Sequence, residues 1–141
     1  LEYCFIIKSL KNFRGSIKIS SRKLKKYYLI HPAVSCALSS PPKGKLVENL
    51  VQFKSQSTNY WREGKNEVDF IQTIKNEITP IESKYSGDIK LKELKGLLKF
   101  MEKFKVKRGI IVSKETEKEE RIKDKKIKFI PLWKWLLENG S

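Results

Sequence analysis

The chain has 141 residues, with 31 Lys and Arg against 16 Asp and Glu, for a formal charge of +15. That length fits one domain with a real core, and the charge favours a polyanionic partner, nucleic acid first, through phosphate contacts and counterion release. The single His argues against a zinc cluster, a His-centred nuclease motif or a Ser-His-Asp triad, and no apolar run approaches the ~20 residues of a spanning helix.

The plainer reading of the Lys-rich, Ile-rich usage is a thermophilic or AT-rich genome, with the charge spread over solvated surface. Cys4 and Cys36 stand far apart and outside any Cys-x-x-Cys pair, which reads as reduced core thiols. With no secretory pattern at the start, a soluble, cytoplasmic protein is expected. Residues 1–8 enter an apolar stretch without a Met, as though the chain were a fragment beginning inside an element.

His31, between Ile30 and Pro32, reads as a turn residue. Pro32 followed by Ala33, Val34, Ala37 and Leu38 reads as a short helix, ended by Ser39-Ser40-Pro41-Pro42. The Pro pair divides an amino-terminal arm, 1–42, from a domain, 43–141. From Lys45 to about Lys54, the residues Leu46, Val47, Leu50, Val51 and Phe53 form one helical stripe. Glu48 falls well away from the centre of that stripe, and by spacing alone it is an ordinary solvent-facing acid.

Thr58–Arg62, Glu67–Ile74 and Glu77–Tyr85 read as three strands joined by short polar turns, an antiparallel meander. A period of two sends Glu82 and Lys84 to one face, and Ile81 and Ser83 to the other. Loop length brings Asp69 opposite the second half of the third strand, so that Asp69, Glu82 and Lys84 are expected to share a face. Two packed carboxylates repel unless a cation compensates, and a divalent metal would do so with Lys84 contributing. The competing reading is a surface ion pair of Lys84 with either acid, worth little. Glu67 shares the face of Asp69, as a secondary ligand or as the outer end of the strand. Pro80 cannot donate to a ladder, which predicts a bulge or a sheet edge just before Glu82. Tyr60 and Trp61 are assigned to the core, the alternative being a ring presented to a base.

Ile89–Phe104 is the clearest helix, with Leu91, Leu94, Leu97, Leu98, Met101 and Phe104 along one side. Lys92, Lys95, Lys99 and Lys103 gather on the other side, to meet phosphates or simply to be solvated. Arg108–Ser113 reads as a buried strand parallel to the third, since a helix of this length between strands is a crossover. Lys114–Lys126 is expected to be a loop or an exposed helix, and Lys128–Ile130 a last strand. Pro131 then starts a helix that Gly140 closes. Gly44-Lys45 and Gly64-Lys65 are followed by Leu and Asn, so no phosphate-binding P-loop is present and the chain is not itself an ATPase.

The order Glu48, Asp69, then Glu82-Ser83-Lys84 after Pro80-Ile81 resembles the PD-(D/E)xK nuclease superfamily. Gly-Lys-Leu-Val-Glu-Asn-Leu-Val at 44–51, Tyr-Trp-Arg at 60–62, Glu-Val-Asp-Phe at 67–70 and Pro-Ile-Glu-Ser-Lys-Tyr at 80–85 resemble, more narrowly, the carboxy-terminal domain of archaeal and other prokaryotic AAA-type ATPases. The resemblance implies an α/β, restriction-endonuclease-like fold, a mixed central sheet flanked by helices, with a basic amino-terminal arm. It casts that arm as the remnant of a winged helix: Phe5–Lys8 and Lys25–Ile30 would be wing strands, and Lys11, Arg14, Lys18, Arg22 and Lys23 the basic loop between them.

The implied activity is metal-dependent hydrolysis of DNA phosphodiesters. Asp69 and Glu82 would ligate Mg2+ or Mn2+, Glu48 would assist directly or through water, and Lys84 would position the attacking water and offset charge on the phosphate. Lys92, Lys95, Lys99, Arg22 and Lys23 are the expected nucleic-acid contacts. Implied partners are DNA, an ATPase portion or parent chain, and a second copy in a homodimer that cuts two strands. Two other readings stay open. A non-catalytic DNA-binding module would bind with steep salt dependence and need no metal. A protein-interaction domain of an ATPase would bind DNA weakly and contact its partner through the Trp133 and Trp135 helix.

Overall fold

A computed structural model describes residues 6–15 and 25–138. Cys4, Arg22, Lys23 and Gly140, with most of the expected basic loop, lie outside the described residues. In chain order the elements are β1 (Ile7–Asn12), β2 (Lys26–Leu29), α1 (Pro32–Leu38), α2 (Lys43–Ser55), β3 (Asn59–Glu63), β4 (Asn66–Ile74), β5 (Glu77–Lys84), a 3-10 turn (Leu91–Leu94), α3 (Lys95–Lys103), β6 (Arg108–Ser113), β7 (Lys118–Ile122), β8 (Lys125–Pro131) and α4 (Leu132–Glu138). The strands make one mixed sheet in the order β2-β1-β3-β4-β5-β6-β8-β7.

The expected meander is present: β3, β4 and β5 pair antiparallel in sequence. Lys75 and Asn76 both take positive φ, 49° and 67°, in the β4–β5 turn, a two-residue geometry whose twist matches that of the flanking strands. β6 then returns parallel to β5 by way of α3, as a crossover requires. The described part of the arm is built into the same sheet. β1 pairs in parallel with β3 at Lys11↔Asn59 and Asn12↔Tyr60, and β2 hangs antiparallel on β1 as the edge strand.

Apolar layers cover both faces. Tyr28, Val47, Val51, Tyr60, Phe70, Ile81 and Trp135 pack together on the α2 and α4 side. Trp61, Val68, Ile71, Leu97, Phe100 and Met101 pack on the α3 side. Tyr60 and Trp61 are core residues, each 2% exposed.

Four expectations change. The helix expected from Ile89 begins as a 3-10 turn and becomes α-helical only at Lys95, leaving Leu91 exposed. The stretch read as a loop or an exposed helix contains β7, which pairs with β8 alone. Its Lys-Glu-Glu-Arg-Ile sequence carries charges of both signs, as an edge strand can and a buried strand cannot. Cys36 is an exposed free thiol, not a core residue. Pro80 causes neither a bulge nor an edge. It pairs with Ile71 inside the sheet, one residue before the ladder to β6 begins at Ile81, so no bond of that ladder is lost. His31 is the turn residue expected: its Nδ1 accepts the Ala33 N–H at 3.1 Å and caps α1. No helix among the described residues is long and apolar enough to cross a membrane.

Candidate functional site

The bulge that the sequence suggested at Pro80 lies instead in β4. Asn59 pairs with Ile71 but Trp61 pairs with Val68, so Tyr60 alone stands opposite both Asp69 and Phe70. Two residues against one take Asp69 out of regular alternation and re-aim its side chain. Its backbone N–H reaches the Glu82 carboxylate, at 3.3 Å from Oε2. Its own Oδ2 accepts the Ser83 N–H and the Ser83 hydroxyl, both at 2.9 Å.

Glu82 and Lys84 lie on one face as expected, with Lys84 Nζ 3.0 Å from Glu82 Oε1. Asp69 does not join them through its carboxylate. That group turns to Ser83 and to a cation the sequence reading did not single out, Lys26, at 3.5 Å.

Lys26 opens β2 and its ammonium sits among three carboxylates. Besides Asp69, it lies 3.3 Å from Glu48 Oε1 and pairs with Glu67. Glu48, on α2, is nearly buried, contrary to its position off the helical stripe. The helix faces β2 there, and polar partners meet the acid in place of water. The Tyr28 hydroxyl donates to Oε1 at 2.6 Å and Lys45 Nζ to Oε2 at 2.9 Å. Glu67 is also held by Arg62, opposite it on β3.

Thus three elements, α2, β4 and β5, deliver Glu48, Glu67, Asp69 and Glu82, and each acid is held by at least one ammonium. Among the described residues, no three or more His, Cys, Asp or Glu stand together in a metal-holding arrangement. The carboxylate oxygens are turned instead toward Lys26, Lys84 and the Ser83 donors.

The electrostatics show strain within this network. Burial, and then the neighbouring Asp69, push the Glu82 carboxyl up to about 8. Burial and Glu48 also raise Asp69, only partly offset by Lys26 and the Ser83 donors. Glu48 goes the other way: burial would raise it, but the Tyr28 and Lys45 hydrogen bonds and the Lys26 charge hold it below the usual carboxylate range. Burial disfavours the Lys26 ammonium, yet Asp69, Glu67 and Glu48 together keep it firmly charged.

Beside this network, Glu82, Lys84 and Glu67 line an open cleft of about 570 Å³ whose other walls include Lys65, Lys92 and Lys95. Gly96 at the start of α3 lets the helix close down on this cleft, since a Cβ there would strike the Glu67 carbonyl oxygen. Lys99 lies elsewhere, 3.4 Å from Glu63.

A family model described as a domain of unknown function, DUF4143, matches residues 43–135, more than half of the chain. The chain belongs to the DUF4143 family. The matched segment runs from the start of α2 into α4, so the DUF4143 segment supplies Glu48, Glu67, Asp69, Glu82 and Lys84, while Lys26 and Tyr28 come from outside it. No curated protein and no solved structure matches the chain significantly.

Proposed function

We propose that this DUF4143 domain is a metal-dependent phosphodiesterase acting on DNA, built on a restriction-endonuclease-like core and attached to an ATPase. The run α2-β3-β4-β5-α3-β6, with its meander followed by a crossover, supports the core assignment. The observation that carries the function is the pairing of a desolvated carboxylate, Glu82, with Lys84 on the floor of a cleft walled by Lys65, Lys92 and Lys95. Lysines at a rim suit a phosphate backbone. A carboxylate raised to about 8 is one that a bound cation would return to its charged form.

The donors are all carboxylate oxygen, the kind that Mg2+ or Mn2+ takes, but they face Lys26, Lys84 and Ser83, so an ion would bind only once they turn from those partners. Asp69 and Glu82 would hold the ion, with Glu48 behind them. Once bound, it would supply Lewis-acid stabilisation of the phosphoryl oxygens. The chain's own residues do the rest. Lys84 donates to the attacking water and offsets charge growing on the phosphate, Ser83 fixes Asp69, and Lys92 and Lys95 hold the strand along the cleft. DUF4143 domains are often found in the carboxy-terminal regions of ATPases, which supports the proposed attachment.

A second reading is favoured by one observation. Lys26 sits where three carboxylates would meet a cation, so the network can serve as an ion-pair lock in a DNA-binding module that does not cut. Supercoiled and branched DNA incubated with Mg2+ or Mn2+ separates the two. Cleavage by wild type that is lost in folded Asp69→Asn and Lys84→Ala supports hydrolysis. DNA binding without cleavage sinks it and leaves the module, whose affinity should fall steeply with salt, with a slope reduced by about one for each phosphate-contacting lysine removed at 92 or 95.

A further inference from the structure

We propose that Lys26 is a fifth residue of the carboxylate site, a built-in cation that holds Asp69 and Glu48, two of the acids assigned to the divalent ion, and must be displaced for that ion to bind. The inference rests on the metal-site reading above and concerns what the arm does to it.

Three observations meet here. First, the Lys26 ammonium lies against Glu48, Glu67 and Asp69 together, on a side chain only 18% exposed. An ordinary surface lysine pairs with one acid and keeps its water. Second, the acids depend on it unequally. Glu48 also has Lys45, Glu67 has Arg62 and Glu82 has Lys84, whereas Lys26 is the one ion-pair partner of Asp69 among the described residues. Removing that ammonium leaves a carboxylate 14% exposed without its ion-pair partner, beside two further acids. Such a position demands a replacement charge, and three carboxylates converging from α2 and β4 suit a hard divalent ion.

Third, the acids and the cation have different origins. All the acids lie within the matched family segment, 43–135, and Lys26 does not. It enters on an edge strand whose one ladder among the described residues is to β1, itself joined to β3 at two register positions. The lysine stem is long and its ammonium can swing away without unpairing β2. The Tyr28 and Leu10 side chains would keep the hairpin seated in the core.

The test uses the whole chain, stripped of metal with EDTA, and Mn2+ as the probe, read by electron paramagnetic resonance and by thermal unfolding. Lys26→Met and Lys26→Gln should each bind Mn2+ at least about tenfold more tightly than wild type. Both should lose thermal stability without metal and regain it as Mn2+ is added, so a variant that unfolds in EDTA must refold on titration. Adding Asp69→Asn should abolish the gain. Equally tight Mn2+ binding by wild type and both variants overturns the displacement and leaves the metal site standing. If neither variant binds or is rescued by Mn2+, the metal-site reading itself falls, and the role of Lys26 falls with it.

Discussion

Glu82→Gln tests the electrostatics of the site without any assumption about activity. A carboxyl that titrates near 8 in the fold and at 4.5 in the unfolded chain favours the folded state only while protonated. Its contribution is therefore fully present below the unfolded value and is lost as pH rises toward 8. At about 1.4 kcal/mol per unit, the loss between roughly pH 5 and pH 8 comes to about 3–4 kcal/mol, a large part of a small domain's stability. Asp69, also raised, adds in the same direction. Glu48 is lowered, so its contribution is lost only as pH falls below the ordinary carboxylate range, outside that window. Urea unfolding followed by Trp fluorescence at several pH values, without divalent metal, should show wild type weakening across the window. Glu82→Gln keeps the shape and cannot ionise, so its profile should be flatter by most of that amount. Parallel profiles for the two proteins would refute the claim that an uncompensated buried carboxylate sits at Glu82.

Tyr28→Phe removes a donor 2.6 Å from a nearly buried carboxylate and should cost about 1.5–3 kcal/mol in the same urea assay at neutral pH. A loss within ~0.5 kcal/mol, the usual range for surface changes, would mean that Glu48 is held by its lysines alone. Gly96→Ala should destabilise by about 1–3 kcal/mol through the clash with Glu67, although Ala is the better helix former. An urea midpoint at or above wild type would show that the helix does not need to lie so close.

The meander and the crossover were legible in the sequence because polar turns punctuate Ile-rich and aromatic runs, and a helix between two such runs leaves few topologies. The face shared by Glu82 and Lys84 followed from the period of two. Three things were not legible. Helical spacing placed Glu48 in solvent, because the hydrophobic stripe says nothing about a strand arriving from another part of the chain. Lys26 was one lysine among many, and its role depends on a hairpin register far from Glu48, Glu67 and Asp69. One signal was available: Lys26 and Tyr28 alternate on β2, so they share a face, and both end on Glu48. The re-aiming of Asp69 by the β4 bulge left no mark in residue types, because Tyr60, Asp69 and Phe70 suit a regular strand as well.

The edge strand β7 bears on how this domain can assemble. Its exposed Lys118, Glu119 and Arg121, with Lys126 and Glu119 paired across the ladder at 2.9 Å, place alternating charge along the rim where another chain would have to add a strand. Such a rim resists sheet continuation, so a neighbour, whether a second copy or an adjoining module, is directed to the helical faces or to the β2 border. A neighbour docking on that border would lie against the strand that carries Lys26.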